Sequence, residues 1–122
     1  YDNFVALDTL TVNGKLTLGE NIADFGGTTI SYNALQMALE GKERKKIDGF
    51  TPEQRFFLSY AKVWRQKIRD EELMRRLRED VHSPGHFRVN GPIFNIPQFY
   101  ETFNISPEDE LFIAEDKRAV VW

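Results

Sequence analysis

The chain has 122 residues, no cysteine, 16 basic against 19 acidic side chains and a formal net charge of −3. That size holds one domain or one piece of a larger one, and the near-balance of charge gives no general attraction to nucleic acid. Without cysteine there is no disulfide framework, thiolate metal site or cysteine nucleophile, and no apolar run approaches the roughly 20 residues of a membrane span.

The first residues, Tyr1-Asp2-Asn3-Phe4, carry neither an initiator Met nor a leader-like segment, so the chain is expected to be a processed or truncated fragment. Residues 1–19 form an expected extended arm. Leu10–Val12 and Leu16–Leu18 flank Asn13-Gly14, a hairpin signal. The spacing of Ala23, Gly27, Ala34, Leu35 and Ala38 predicts a helix from Glu20 to Glu40 with Gly41 just past its end. Gly26-Gly27 inside it costs about 1 kcal/mol per glycine relative to alanine, and close approach of another backbone is the usual reason. Gly41–Gly49 is a basic connector, exposed to solvent.

Thr51-Pro52-Glu53-Gln54 starts a second helix, with Thr51 as N-cap and Gln54 completing a capping box. Phe56, Phe57, Tyr60, Ala61, Trp64 and Ile68 give it a broad apolar face to about Arg69, read as core packing. Asp70 begins a short helix to about Arg78, with Leu73 and Leu77 inward and Arg75, Arg76 and Arg78 on a solvated face. Residues 80–92 break the pattern, and Pro84-Gly85 predicts a turn. A helix from about Ile96 to Phe103 follows, then a turn capped at Ser106–Asp109 and an extended end, Arg118–Trp122. The fold class is therefore mainly α with a short extended or hairpin arm over 1–19, helical from 20 to 122, in one unit.

Two features carry possible chemistry. His82 and His86 are the only histidines, spaced i, i+4, but Pro84-Gly85 between them argues against the shared helical face that a zinc pair requires. Asp80, His82 and Arg88 gathered in one rigid loop would suit stabilisation of an oxyanion. Glu20 and Asp24 are also i, i+4, on one helix face, where two like charges call for a positive partner. Their apolar and glycine-rich neighbours suggest a face buried against something, such as a metal.

Gly19-Glu20-Asn21-Ile22-Ala23-Asp24 followed by Gly26-Gly27 resembles the GENIADxGG motif of the neprilysin and endothelin-converting-enzyme family of zinc metalloendopeptidases. Asp80–Gly85 with Phe87-Arg88 resembles the DVHSPGxFR signature of the same family. Phe56-Phe57-Leu58, Val63-Trp64 and the final Trp122 are similar too, so the resemblance spans nearly the whole chain. It implies the helical part of a thermolysin-like catalytic domain. It further implies that Glu20 is a zinc ligand, that Asp24 orients a zinc-bound histidine, that His82 stabilises the oxyanion and that Arg88 holds a backbone carbonyl of a peptide substrate. Asp80 would orient His82. His86 falls at a variable position of the motif and receives no role.

The chain departs from the family in two respects: it has no His-Glu-x-x-His, the motif that supplies two zinc ligands and the general base, and it lacks the family's Asn-Ala substrate-binding strand. The expectation is a C-terminal part of the catalytic domain, bearing one Zn2+ ligand, Glu20. The remaining ligands would come from an N-terminal part of the same polypeptide, and the fragment alone would be inactive. The absence of cysteine favours a bacterial member, with the cell envelope or the extracellular space ahead of the cytoplasm. Two other readings stand beside this one. One is a non-catalytic helical interaction module that kept the fold. The other is a self-contained metal site formed by Glu20, His82 and His86, which requires the turn to fold onto the first helix.

Overall fold

The computed structural model describes residues 1–121; Trp122, the last residue of the expected extended end, lies outside them. Two short strands, β1 (Val5–Leu7) and β2 (Leu10–Thr11), precede five helices: α1 (Leu18–Leu39), α2 (Pro52–Trp64), α3 (Asp70–Glu79), α4 (Gly85–Ile93) and α5 (Pro97–Phe103). The expected mainly α architecture with a small N-terminal hairpin is what forms.

The hairpin turns earlier than Asn13-Gly14. Val5 pairs with Thr11 and Leu7 with Leu10, and Asp8, at φ 51°, takes the left-handed conformation of the tight turn. Asn13 has another task. Its side chain accepts the Leu16 N–H at 2.9 Å and its carbonyl accepts the Thr17 N–H, so it winds the chain into α1 instead of between strands. Val12, 1% exposed, anchors the arm, and Phe4 stacks on Phe87 of α4 at 5.0 Å.

The buried stripe of α1 is Asn21, Thr28 and Tyr32 with the half-buried Phe25, a period of about four and three residues. The expected stripe of Ala23, Gly27, Ala34, Leu35 and Ala38 is mostly exposed. At Gly27 nothing lies within 4 Å of where a Cβ would stand, so no backbone approaches there. That face borders an open groove of about 730 Å³ between α1 and α2, with Phe56 and Tyr60 opposite.

Helix α2 begins as expected. Gln54 N–H donates to the Thr51 hydroxyl and Gln54 Oε1 accepts from the Thr51 N–H. It ends at Trp64, five residues before Arg69, because Arg65 turns extended with ψ 107°. Helix α3 carries its arginines outward, with Arg75 and Arg76 both on Glu72.

The larger difference is α4, which occupies a stretch whose prolines and glycines suggested a break. Pro84, extended at φ −54° and ψ 146°, stands just outside the first turn, where a missing N–H is harmless. Pro92 lies inside the helix and cannot donate to the Arg88 carbonyl four residues back. Tyr60 of α2 donates its hydroxyl to that carbonyl at 2.8 Å, so the gap becomes a bond between helices. Helix α4 is thereby the centre of the fold, packed on α1 and α2. The core is Tyr32, Phe57, Val89, Ile93 and Ile96, ringed by Phe56, Phe94 and Phe99 among others.

Candidate functional site

Glu20 stands in the first turn of α1, where the helix N-terminus favours a carboxylate. One turn on, Asp24 points along the same side. The structure brings the loop 80–84 and the start of α4 onto this face, and five side chains, Glu20, Asp24, Asp80, His82 and Arg88, separate into two levels.

The outer level is a line of three groups. Asp80 Oδ1 accepts both the His82 backbone N–H at 2.9 Å and the His82 ring Nδ1 at 2.8 Å. The backbone N–H of His82, more than its ring, holds the Asp80 carboxyl below its ordinary value. With Nδ1 turned to Asp80, the Nε2 edge faces Glu20, whose Oε2 lies 3.3 Å away. The Glu20 and His82 side chains are each 43% exposed, so their contact is reachable from solvent.

The inner level is an ion pair. Arg88 donates from Nε and Nη2 to Asp24 at 2.6 and 2.7 Å, with the two side chains 14% and 12% exposed. The ring of Trp64 lies 3.8 Å from the guanidinium carbon, a cation–π contact that fixes the plane. Hydrogen bonding to Asp24 pushes Arg88 further above its ordinary value, so it stays charged. The positive partner expected for Glu20 and Asp24 is supplied by Arg88, paired with Asp24, while Glu20 has the His82 imidazole beside it. Arg88 lies on α4, not in the same loop as Asp80 and His82. A small cleft of about 200 Å³ nonetheless has Asp80, His82, Arg88 and Trp64 on its walls.

Between the levels runs a buried polar chain that the sequence did not single out. Ser83 donates to Asn21 Oδ1 at 2.7 Å, and Asn21 Nδ2 donates to Thr17 Oγ1 at 2.9 Å. Both residues sit inside the two motifs, beside His82 and Glu20. The available signal was a pair of polar residues inside apolar, glycine-containing segments.

His86 is not part of this constellation. It lies on the first turn of α4, its Nε2 3.1 Å from Asn90 Nδ2. The turn does fold onto α1, as a site of Glu20, His82 and His86 would need, but it brings only His82. Among the described residues no group of three or more histidines and carboxylates is arranged to hold a metal ion. Glu20 alone, half-exposed and with one edge free, fits a single corner of a zinc site.

The profile of peptidase family M13 matches residues 1–119. Over 127 aligned residues the chain is 39% identical to neprilysin-2 of Caenorhabditis elegans, covering 100% of this chain and 17% of that protein. It is 38% identical over 110 residues to a neutral endopeptidase of Lactococcus lactis, covering 90% of this chain and 16% of that one. Among solved structures, the zinc metalloprotease ZMP1 of Mycobacterium tuberculosis in complex with inhibitor superposes with a TM-score of 0.96 at 38% identity. That match covers 100% of this chain and 20% of the other. The chain therefore spans about one sixth of the length of these curated relatives.

Proposed function

Because this chain belongs to peptidase family M13, we propose that it is a C-terminal part of the catalytic domain of a zinc metalloendopeptidase that hydrolyses peptide bonds in oligopeptides. The observation that carries the proposal is the line Asp80, His82, Glu20, half-exposed at the His82–Glu20 end. Zinc, when bound, supplies a Lewis acid and an activated water. Glu20 is its one ligand from these residues. A catalytic zinc site has three protein ligands, and the chain has no His-Glu-x-x-His. The others come from a different segment of the polypeptide, and the isolated chain is inactive.

The chain's own groups divide the remaining work. Asp80 fixes the proton of His82 on Nδ1 and turns Nε2 toward the reacting centre. In its doubly protonated form, with one proton on Nδ1 held by Asp80 and the other on Nε2, His82 donates from Nε2 to the oxygen on which negative charge develops. Arg88 has Nε and Nη2 committed to Asp24 and its face on Trp64. That leaves Nη1 as the donor for a backbone carbonyl of the substrate. Asp24 holds Arg88 in that pose. A carboxylate offers about four acceptor sites, so Asp24 also retains capacity to orient a histidine of the zinc site.

The test is made in the full-length protein. Glu20→Ala should abolish zinc retention, measured by metal analysis after dialysis; a variant that keeps its zinc would sink the ligand assignment. His82→Ala should lower kcat by about 10²–10³, the loss typical of one oxyanion donor, with KM little changed. A rise in KM alone would refute the transition-state role.

A further inference from the structure

Glu20 and His82 are 62 positions apart in the chain, and their direct contact is weak by construction. A polar contact between side chains each 43% exposed gains little, because water screens it and both side chains lose freedom to form it. Something else must hold the two at 3.3 Å. Helix α1 fixes the backbone of Glu20, but nothing in α1 itself says where the loop before α4 stands relative to it.

The neighbouring residues in both motifs say so. Asn21, Ser83 and Thr17 are 5%, 3% and 3% exposed, and their polar groups form one directional chain. The Ser83 hydroxyl donates to Asn21 Oδ1 at 2.7 Å, Asn21 Nδ2 donates to Thr17 Oγ1 at 2.9 Å, and Thr17 Oγ1 donates to the Asn13 carbonyl at 3.0 Å. Each link orients the next, ending on a backbone acceptor that cannot rotate. Such a buried, hydrogen-bonded chain resists displacement more than an exposed contact does, because any shift strands a buried polar group. Successive residues on a helix point about 100° apart. An inward Asn21 therefore leaves Glu20 at the rim, and in the loop before α4 the buried Ser83 stands next to the half-exposed His82.

We propose that Asn21 and Ser83 are positioning residues, whose buried hydrogen bond sets the distance between the Glu20 carboxylate and the His82 imidazole. Ser83 acts through His82 because the loop carrying His82 has no regular backbone pairing of its own. Asp80 fixes the ring's rotation, and Ser83 fixes where the ring stands. Thr17 keeps the Asn21 amide from turning. This rests on the proposed roles of Glu20 and His82 in peptide hydrolysis.

The experiment uses the full-length protein and an internally quenched fluorescent peptide. Ser83→Ala should lower kcat by about tenfold, within the range that sub-ångström to ångström misplacement produces, with KM changed less than about twofold. In combination with His82→Ala it should add nothing, since it acts through that ring. Thr17→Val, nearly isosteric, tests the far end of the chain if Ser83→Ala folds poorly; it should lower kcat in the same sense by a smaller factor. Zinc content should stay that of the unaltered protein in both, because the helix holds Glu20. A folded Ser83→Ala or Thr17→Val with unaltered kcat overturns the inference while leaving the proposed function intact. So does a loss that multiplies with that of His82→Ala. If His82→Ala itself leaves kcat unchanged, the catalytic reading fails, and the positioning role falls with it.

Discussion

Replacing Asp24 by Ala leaves the Arg88 guanidinium inside the protein without its carboxylate. The pair is bidentate at 2.6 and 2.7 Å, and the two side chains are only 14% and 12% exposed. An exposed ion pair contributes about 0–1 kcal/mol. Removing one member of a buried pair costs about 3–5 kcal/mol, since the survivor has lost both water and its partner. The Trp64 ring 3.8 Å from the guanidinium carbon does not compensate, because that contact is present before and after the substitution. For 122 residues the whole stability is on the order of 6–18 kcal/mol, so the loss is a large fraction of it. With a melting entropy of about 0.26 kcal/mol/K for this length, the fall in Tm is about 12–20 °C. The assay is thermal and urea unfolding by circular dichroism of the unaltered chain, Asp24→Ala, Arg88→Met and the double variant. The double variant should regain much of the loss, because an apolar replacement of both partners leaves no stranded charge. A single-variant cost below about 1 kcal/mol would refute the reasoning, since the pair would then be behaving as a surface contact. A double variant that loses the sum of the two would refute it as well.

Three further expectations concern the frame around the site. Thr51→Ala removes the acceptor for the Gln54 N–H at the start of α2 and should cost about 1 kcal/mol in chemical denaturation; no change in midpoint would mean that the capping box is not held in solution. Gly85→Ala would place a Cβ 2.6 Å from the Trp64 carbonyl, a backbone atom with little room to yield. It should destabilise by about 1–3 kcal/mol as α4 is pushed from α2, and an unchanged Tm would contradict that packing. The third is pH dependence. Hydrogen bonds from Arg75 and then Arg76 pull the Glu72 carboxyl down from 4.5 to about 2. A lowered folded-state value stabilises fully above pH 4.5 and is lost as pH falls from there through about 2. The difference in unfolding midpoint between the unaltered chain and Glu72→Gln should therefore shrink over that window, and a difference independent of pH would remove the argument.

The chemistry of the site was more legible in the sequence than its geometry. Glu20, Asp24, Asp80, His82 and Arg88 stand in two short motifs, and the motifs state the residue types. They do not state which carboxylate meets which cation. Pairing Asp24 with Arg88 inside and Glu20 with His82 outside depends on how the loop before α4 docks on α1. The Asn21–Ser83 bond was hidden for the same reason: each residue alone looks like a polar position in an otherwise apolar run.

Local rules succeeded where the determinants are local. The Thr51 and Gln54 capping box, Pro97 in the first turn of α5 and the positive φ of Gly41 past α1 all follow from residues within a few positions of one another. They failed where a distant partner changes the balance. Asn13-Gly14 reads as a hairpin turn until Asn13 is needed to start α1. Pro84, Pro92 and two glycines read as a break between 80 and 92. Helix α4 nevertheless forms, because Tyr60 satisfies the carbonyl that Pro92 abandons, Val89 and Ile93 are buried in the core with Tyr32 and Phe57, and Phe87 is buried against Phe4. The sequence by itself determined the helical fold class, the family and the residue types of the candidate site, since these follow from periodicity, caps and motifs. The tertiary structure alone decided the central helix, the two levels of side-chain pairing and the buried polar tie, since each depends on desolvation and on hydrogen-bond partners supplied from far along the chain.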